Sequence, residues 1–177
     1  MFDFNYLHEE EINCLYILCK KLNDRKVDYV IGGAKLLPYY GIYTTTIDVD
    51  FFIPVSQAFR VAKPIFEALG YRQTEKIPGL EYKMENDIHT VDVLFFDTIY
   101  SECKEAIQLV KLKDIEVPIQ KLEEIVVSKL ARRNARDLQH IYEIDHKHKL
   151  DLDLVKKLAK LRKINDYENF LSIKLSQ

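Results

Sequence analysis

The pair Gly32-Gly33, followed downstream by Asp48-Val49-Asp50-Phe51-Phe52, constrains this chain more than any other stretch. The glycines close an apolar run (Val27, Tyr29, Val30, Ile31), and the two aspartates open a second one. A carboxylate set beside Phe51-Phe52-Ile53 is costly to bury without a partner. A divalent cation held between the two acids removes that cost, so chemistry on phosphate is the first expectation. Within a strand, residues i and i+2 share a face. Asp48 and Asp50 therefore project together, while Val49, Phe51 and Ile53 face a core.

A third acid, Asp92, lies in the run Thr90-Val91-Asp92-Val93-Leu94-Phe95-Phe96, again flanked by apolar residues. If that strand lies beside the one carrying Asp48 and Asp50, three carboxylates converge. Such a set suits Mg²⁺, and two ions about 3.5–4 Å apart could clamp an in-line displacement at phosphorus. Asp97 competes with Asp92, but alternation puts it on the opposite face at the strand end. Gly32-Gly33 fits either a plain turn or a phosphate cradle, in which a helix start offers N–H groups to an anion.

Around these residues the periodicities predict a helix through Ile12, Leu15, Tyr16, Cys19 and Leu22, begun by the acids Glu9 to Glu11. A buried strand over 27–31, a short helix over 34–40 and a strand over 47–53 follow. Ser56 is placed to cap a helix carrying Phe59, Ala62, Phe66 and Leu69 and ending at Gly70. Residues 71–97 have β character, with a hairpin turn at Asn86-Asp87. From about Pro118 the pattern turns helical, with stripes Leu122, Ile125, Val126, Lys129, Leu130 and Leu138, Ile141, Tyr142. Two charged helices, about 151–163 and 165–175, end the chain. The order predicts an α+β fold: a mixed sheet with flanking helices over 1–117, and a helical segment over 118–177 packed on it.

At 177 residues with 47% hydrophobic composition the chain can bury a sizeable core. A net charge of -2 argues against a coat for nucleic acid. Cys14, Cys19 and Cys103 lack metal-ligand spacing and read as reduced thiols. No apolar stretch approaches the roughly 20 residues of a membrane span, and the acidic start is unlike a signal peptide. A cytoplasmic protein is expected.

Ile31-Gly32-Gly33, Asp48-Val49-Asp50-Phe51 and the later Asp92 together resemble the signature of the DNA polymerase β-like nucleotidyltransferases. The nearest likeness is to small bacterial and archaeal members, including toxins of abortive-infection systems. Those carry a Thr or Ser two residues before the first Asp, matched by Thr46. Their helical Lys and later Asp resemble Lys129 and Asp137. The resemblance implies a mixed-sheet nucleotidyltransferase fold with Asp48, Asp50 and Asp92 as catalytic metal ligands. It implies Gly32, Gly33, Thr46, Lys129 and Asp137 around the nucleotide, and Mg²⁺ and an NTP as cofactor and substrate. The acceptor would be a hydroxyl of a tRNA, a partner protein or a small molecule.

Many relatives carry an Arg two residues before that Thr, where this chain has Thr44; Lys35 and Lys129 are candidate replacements. The change also admits a second reading, a catalytically silent binding partner of the toxin–antitoxin type. Bland readings stand beside the functional ones. Lys129 could be a lysine whose stem packs on the core, and Asp137 a capping acid. Arg132, Arg133 and Arg136 form either a charged face or a landing site for RNA. His146 and His148 do not share a helical face and read as a solvated helix end. Tyr39-Tyr40 read as core or edge packing, or as a base-stacking surface.

Overall fold

The computed structural model describes residues 4, 6–46, 48–78, 80–96 and 99–164. Ile47, Asp97 and the helix expected over 165–175 lie outside the described residues. The chain divides into two compact units. One comprises Met1–Thr98 with Gln108–Gln120, the other Ile99–Ile107 with Lys121–Gln177.

In the first unit α1 (Glu9–Asp24) starts at His8, whose N–H donates to Glu11 Oε2 at 3.0 Å, and three acids fill its first turn. Its buried stripe is Leu15, Leu18, Cys19 and Leu22. β1 is only Val30–Gly32, shorter than the strand expected from residue 27. Lys26 turns the chain at φ +54, and Asp28 N–H donates to Gln57 Oε1 at 2.7 Å, so both are committed before the ladder begins. The helix after the glycines, Ala34–Tyr40, has the tighter 3-10 winding and ends at Gly41 in the left-handed region.

β2 (Val49–Pro54) buries Val49, Phe51 and Ile53 and leaves Asp50 and Phe52 half-buried on the other face, as alternation requires. The next helix starts directly after Pro54, so Ser56 lies inside it rather than capping it. It runs as α2 (Val55–Gln57), a π turn (Ala58–Ala62) and α3 (Lys63–Ala68). Pro64 has no N–H to give the preceding turn, and the winding loosens there.

β3 (Arg72–Ile77), β4 (Glu81–Glu85) and β5 (Thr90–Phe96) form the expected meander. Its second turn is held by Asn86, whose Oδ1 accepts from the N–H groups of Ile88 and His89. β6 (Ile107–Leu112) and β7 (Ile115–Gln120) were not anticipated. Helix was expected from about Pro118; the chain instead stays extended through Gln120. Lys113, at φ +55 beside Asp114, makes the tight turn, and Ile115, Val117 and Ile119 then alternate with polar or proline positions. The seven strands of the described residues form one mixed sheet in the order β3-β4-β5-β2-β1-β7-β6. β2 runs parallel to β5 and antiparallel to β1, and β1 runs parallel to β7. α1 packs against α3 and β7. Phe51, Phe66, Tyr29 and Tyr71 form a connected ring cluster in this core.

The second unit holds α4 (Ile99–Glu102), a 3-10 turn (Lys104–Ala106), α5 (Leu122–Arg132), α6 (Ala135–Lys147) and α7 (Leu152–Leu161). α5 packs on both α6 and α7. Asn134 and Asp151 cap α6 and α7 with side-chain acceptors. The apolar stripe expected on α6 is only partly core: Ile141 is buried, while Leu138 and Tyr142 are exposed. Tyr142 instead stacks on the His146 ring.

Candidate active site

Parallel pairing of β2 with β5 sets Asp50 directly opposite Asp92. Antiparallel pairing of β4 with β5 then sets Lys83 opposite Asp92 on the other side. Lys83 Nζ stands 3.4 Å from Asp92 Oδ1 and 3.7 Å from Asp48 Oδ2, bridging the first and third acids of the motif. All these groups belong to the sheet face opposite the apolar core, and they are half-buried. Burial pushes the Asp92 carboxyl up to about 6; Lys83 pulls it down, and Asp48 and Glu81 push it up further. Burial opposes the charge on Lys83, but Asp92 and Asp48 outweigh it and raise the ammonium above its ordinary value.

Gly33 adopts φ +77, and a Cβ there would overlap the Asp50 carboxylate. A Cβ on Gly32 would collide with the Gln120 side chain and the Phe52 ring. The glycines are therefore the means by which β1 lets Asp50 lie against the backbone. Gln120, fully buried at the end of β7, accepts the Gly33 N–H on its Oε1 at 2.9 Å. Its carbonyl accepts the Tyr40 hydroxyl at 2.6 Å, which accepts in turn from Gln108 at 2.8 Å. Tyr40 thus serves as a brace; Tyr39 is buried. Lys35 is engaged by Glu11 at 3.0 Å and reaches the Thr46 carbonyl at 3.5 Å.

In the second unit Lys129 is 2% exposed, and its Nζ lies 2.9 Å from Asp137 Oδ1 and 3.0 Å from His140 Nδ1. Asp137 also accepts from Arg132 Nε at 3.1 Å and from Asn134 Nδ2 at 2.7 Å. Burial lowers the Lys129 pKa against the pull of Asp137. Burial raises and Lys129 and Arg132 lower that of Asp137, leaving it below the ordinary carboxylate range. The helical Lys and Asp singled out in the sequence are thus one buried ion pair.

Three participants escaped the sequence reading: Lys83, Gln120 and His140. Lys83 had a signal, because a hairpin centred on Asp87 and Ile88 places it opposite Asp92. Gln120 and His140 had none that separates them from ordinary polar residues.

Among the described residues no group of three or more His, Cys, Asp or Glu side chains is arranged to hold a metal ion. Two observations nevertheless suit a hard cation. Buried Asp92 Oδ1 has no well-formed hydrogen bond beyond its 3.4 Å ion pair with Lys83, and two acids of the motif already share that one positive charge.

A family model described as "Nucleotidyltransferase of unknown function (DUF6036)" matches residues 12–174. The chain belongs to this family. It is a nucleotidyltransferase, and the resemblance carried by Gly32-Gly33, Asp48, Asp50 and Asp92 is borne out. Solved structures share the α+β fold. The antibiotic-resistance factor ANT(2'')-Ia superposes with a TM-score of 0.63 at 13% identity, over 94% of this chain and 97% of its own. A Thermotoga maritima protein described as a nucleotidyltransferase reaches 0.58 at 13% identity, over 80% and 96%. The lincosamide antibiotic adenylyltransferase LnuA, with lincomycin bound, reaches 0.56 at 12% identity, over 80% and 99%. No curated protein matches the sequence. No helix of the described residues is long and apolar enough to cross a membrane.

Proposed function

We propose that this nucleotidyltransferase moves a nucleoside monophosphate from an NTP to an acceptor hydroxyl, with Mg²⁺ held by Asp48, Asp50 and Asp92. The observation that carries the reading is the register of Asp50 opposite Asp92, with Asp48 joined to Asp92 through Lys83. When bound, the divalent cation would neutralise phosphate charge and favour in-line attack at the α-phosphorus. Asp92 is the proton acceptor for the hydroxyl: burial already raises its proton affinity, and its Oδ1 is met by the Lys83 ammonium at 3.4 Å without a well-formed hydrogen bond. The acceptor oxygen bonds to the α-phosphorus, the bond to the β-phosphate oxygen breaks, and pyrophosphate leaves. Gly32 and Gly33 let the nucleotide approach the backbone beside Asp50, with Thr46 at the same end of β2. Lys129 and Asp137 are assigned to the nucleotide on the family resemblance.

Neighbours solved with adenylyl-2''-tobramycin and with bound lincomycin support adding hydroxylated small molecules to tRNA and protein as acceptors to try, with ATP as the first donor. The test is incubation with Mg²⁺ and each α-³²P-labelled NTP, with tRNA, lysate protein, aminoglycosides or lincosamides. Wild type should transfer label, and Asp48→Asn or Asp92→Asn should lose at least about a hundredfold in rate. A silent partner is the second reading. It is favoured by the engagement of both candidate replacement cations, Lys35 by Glu11 and Lys129 by Asp137. No label with any donor, and no rise in melting temperature with Mg²⁺ and NTP, would establish it instead.

A further inference from the structure

We propose that Lys83 is the resident counter-cation of the carboxylate site, and that it yields to a divalent cation by moving to Glu75 on the adjacent strand. The inference rests on the metal reading of Asp48, Asp50 and Asp92. Register fixes the position of Lys83, which is the cross-strand partner of Asp92 on β5. On its other side, β3 carries an irregularity between Gln73 and Glu75 that skips Thr74 and sets Glu75 opposite Lys83. Without that bulge Thr74 would occupy the place. Directly opposed side chains on one sheet face are within reach of each other. The ammonium therefore has acids on both flanks, Asp92 and Asp48 inward and the exposed Glu75 outward.

In the inward position Lys83 neutralises a carboxylate pair that would otherwise repel. Were Asp48 and Asp92 to hold a divalent cation, the ammonium would lose their attraction and meet repulsion instead. Glu75 gives the displaced charge a partner within the same face. Lys83 is thus a positioning residue. It keeps Asp48 and Asp92 aligned before the metal binds and sets the metal concentration at which they exchange one cation for another.

The experiment measures Mn²⁺ binding to the purified full chain by EPR of free Mn²⁺, without nucleotide, for wild type, Lys83→Gln, Lys83→Arg, Glu75→Gln and Asp92→Asn. Melting temperature in EDTA is recorded alongside. Lys83→Gln should melt lower in EDTA yet bind Mn²⁺ about tenfold more tightly, having lost a competing ion pair with each acid. Lys83→Arg should bind as wild type does, which keeps the test valid if the neutral variant folds poorly. Glu75→Gln should weaken binding about threefold, and that effect should vanish in the Lys83→Gln background. Unchanged or weaker Mn²⁺ binding by folded Lys83→Gln overturns the inference, and so does Mn²⁺ binding that Asp92→Asn leaves intact. Wild type that binds no Mn²⁺ overturns the metal reading and the inference together.

Discussion

At the scale of single residues, the site depends as much on atoms that are missing as on charges that are present. Gly33 carries two independent demands, a left-handed backbone and room for the Asp50 carboxylate. Gly41 carries only the first, since a Cβ there meets nothing. Gly41→Ala should cost about 1 kcal/mol, the strain of a left-handed L-residue, and leave transfer activity intact. Gly33→Ala should cost more than that in stability and abolish transfer, because Asp50 must leave its position. Denaturant melts with parallel labelling assays check the pair. Equal losses of stability and equal activity would remove the close approach to Asp50 from the argument. Gln120 adds a further constraint, as its Oε1 holds the Gly33 N–H.

At the scale of elements, two junctions were read very differently from sequence. The meander of β4 and β5 was legible because period-two alternation and the Asn86-Asp87 turn are local signals. The core face of β2 was legible for the same reason. β6 and β7 were not. Glu116 and Pro118 dilute the apolar signal of β7, and its parallel pairing with β1 is set by a partner far back in the chain. Missing that strand also hid Gln120. The α5–α6 junction was legible as two helices but not as a buried ion pair, because Lys129 sits on an apolar stripe where its stem alone would explain it. Removing Asp137 leaves the Lys129 ammonium buried without its carboxylate. Asp137→Ala should therefore cost about 3–5 kcal/mol, whereas Asn134→Ala should cost about 1 kcal/mol for the lost α6 cap. Urea titrations of both variants check this; an Asp137→Ala loss no larger than that of Asn134→Ala would mean Arg132 or water carries the charge balance.

At the scale of the whole molecule, a buried histidine and a half-buried aspartate act in opposite directions on the dependence of stability on pH. His89 is 3% exposed, bonded through Nδ1 to the Tyr71 hydroxyl at 2.8 Å. Burial lowers its pKa from 6.5 to about 4; Glu11 pulls it up and Lys35 presses it down. The unfolded chain binds this proton first, so the contribution of neutral His89 is fully present above pH 6.5. It is lost progressively as pH falls toward 4, by about 3 kcal/mol in all. Asp92 runs the other way. Its folded pKa is raised from 3.8 to about 6, so the folded chain binds that proton first, and stability rises as pH falls through 6. Glu11 and Asp137, both held below their ordinary values, act only at more acid pH. Burial and the Lys129 charge also lower the pKa of His140, so the window from pH 6.5 to 5 sets Asp92 against two histidines. Melting temperatures in metal-free buffer should fall across it for wild type, with Asp92 offsetting part of the loss from the two histidines. His89→Gln should lose less stability than wild type as pH falls, and Asp92→Asn should lose it more steeply than wild type. A His89→Gln profile parallel to that of wild type would show that the ring is not buried neutral. A parallel Asp92→Asn profile would show that Lys83 already holds that carboxylate in its charged form.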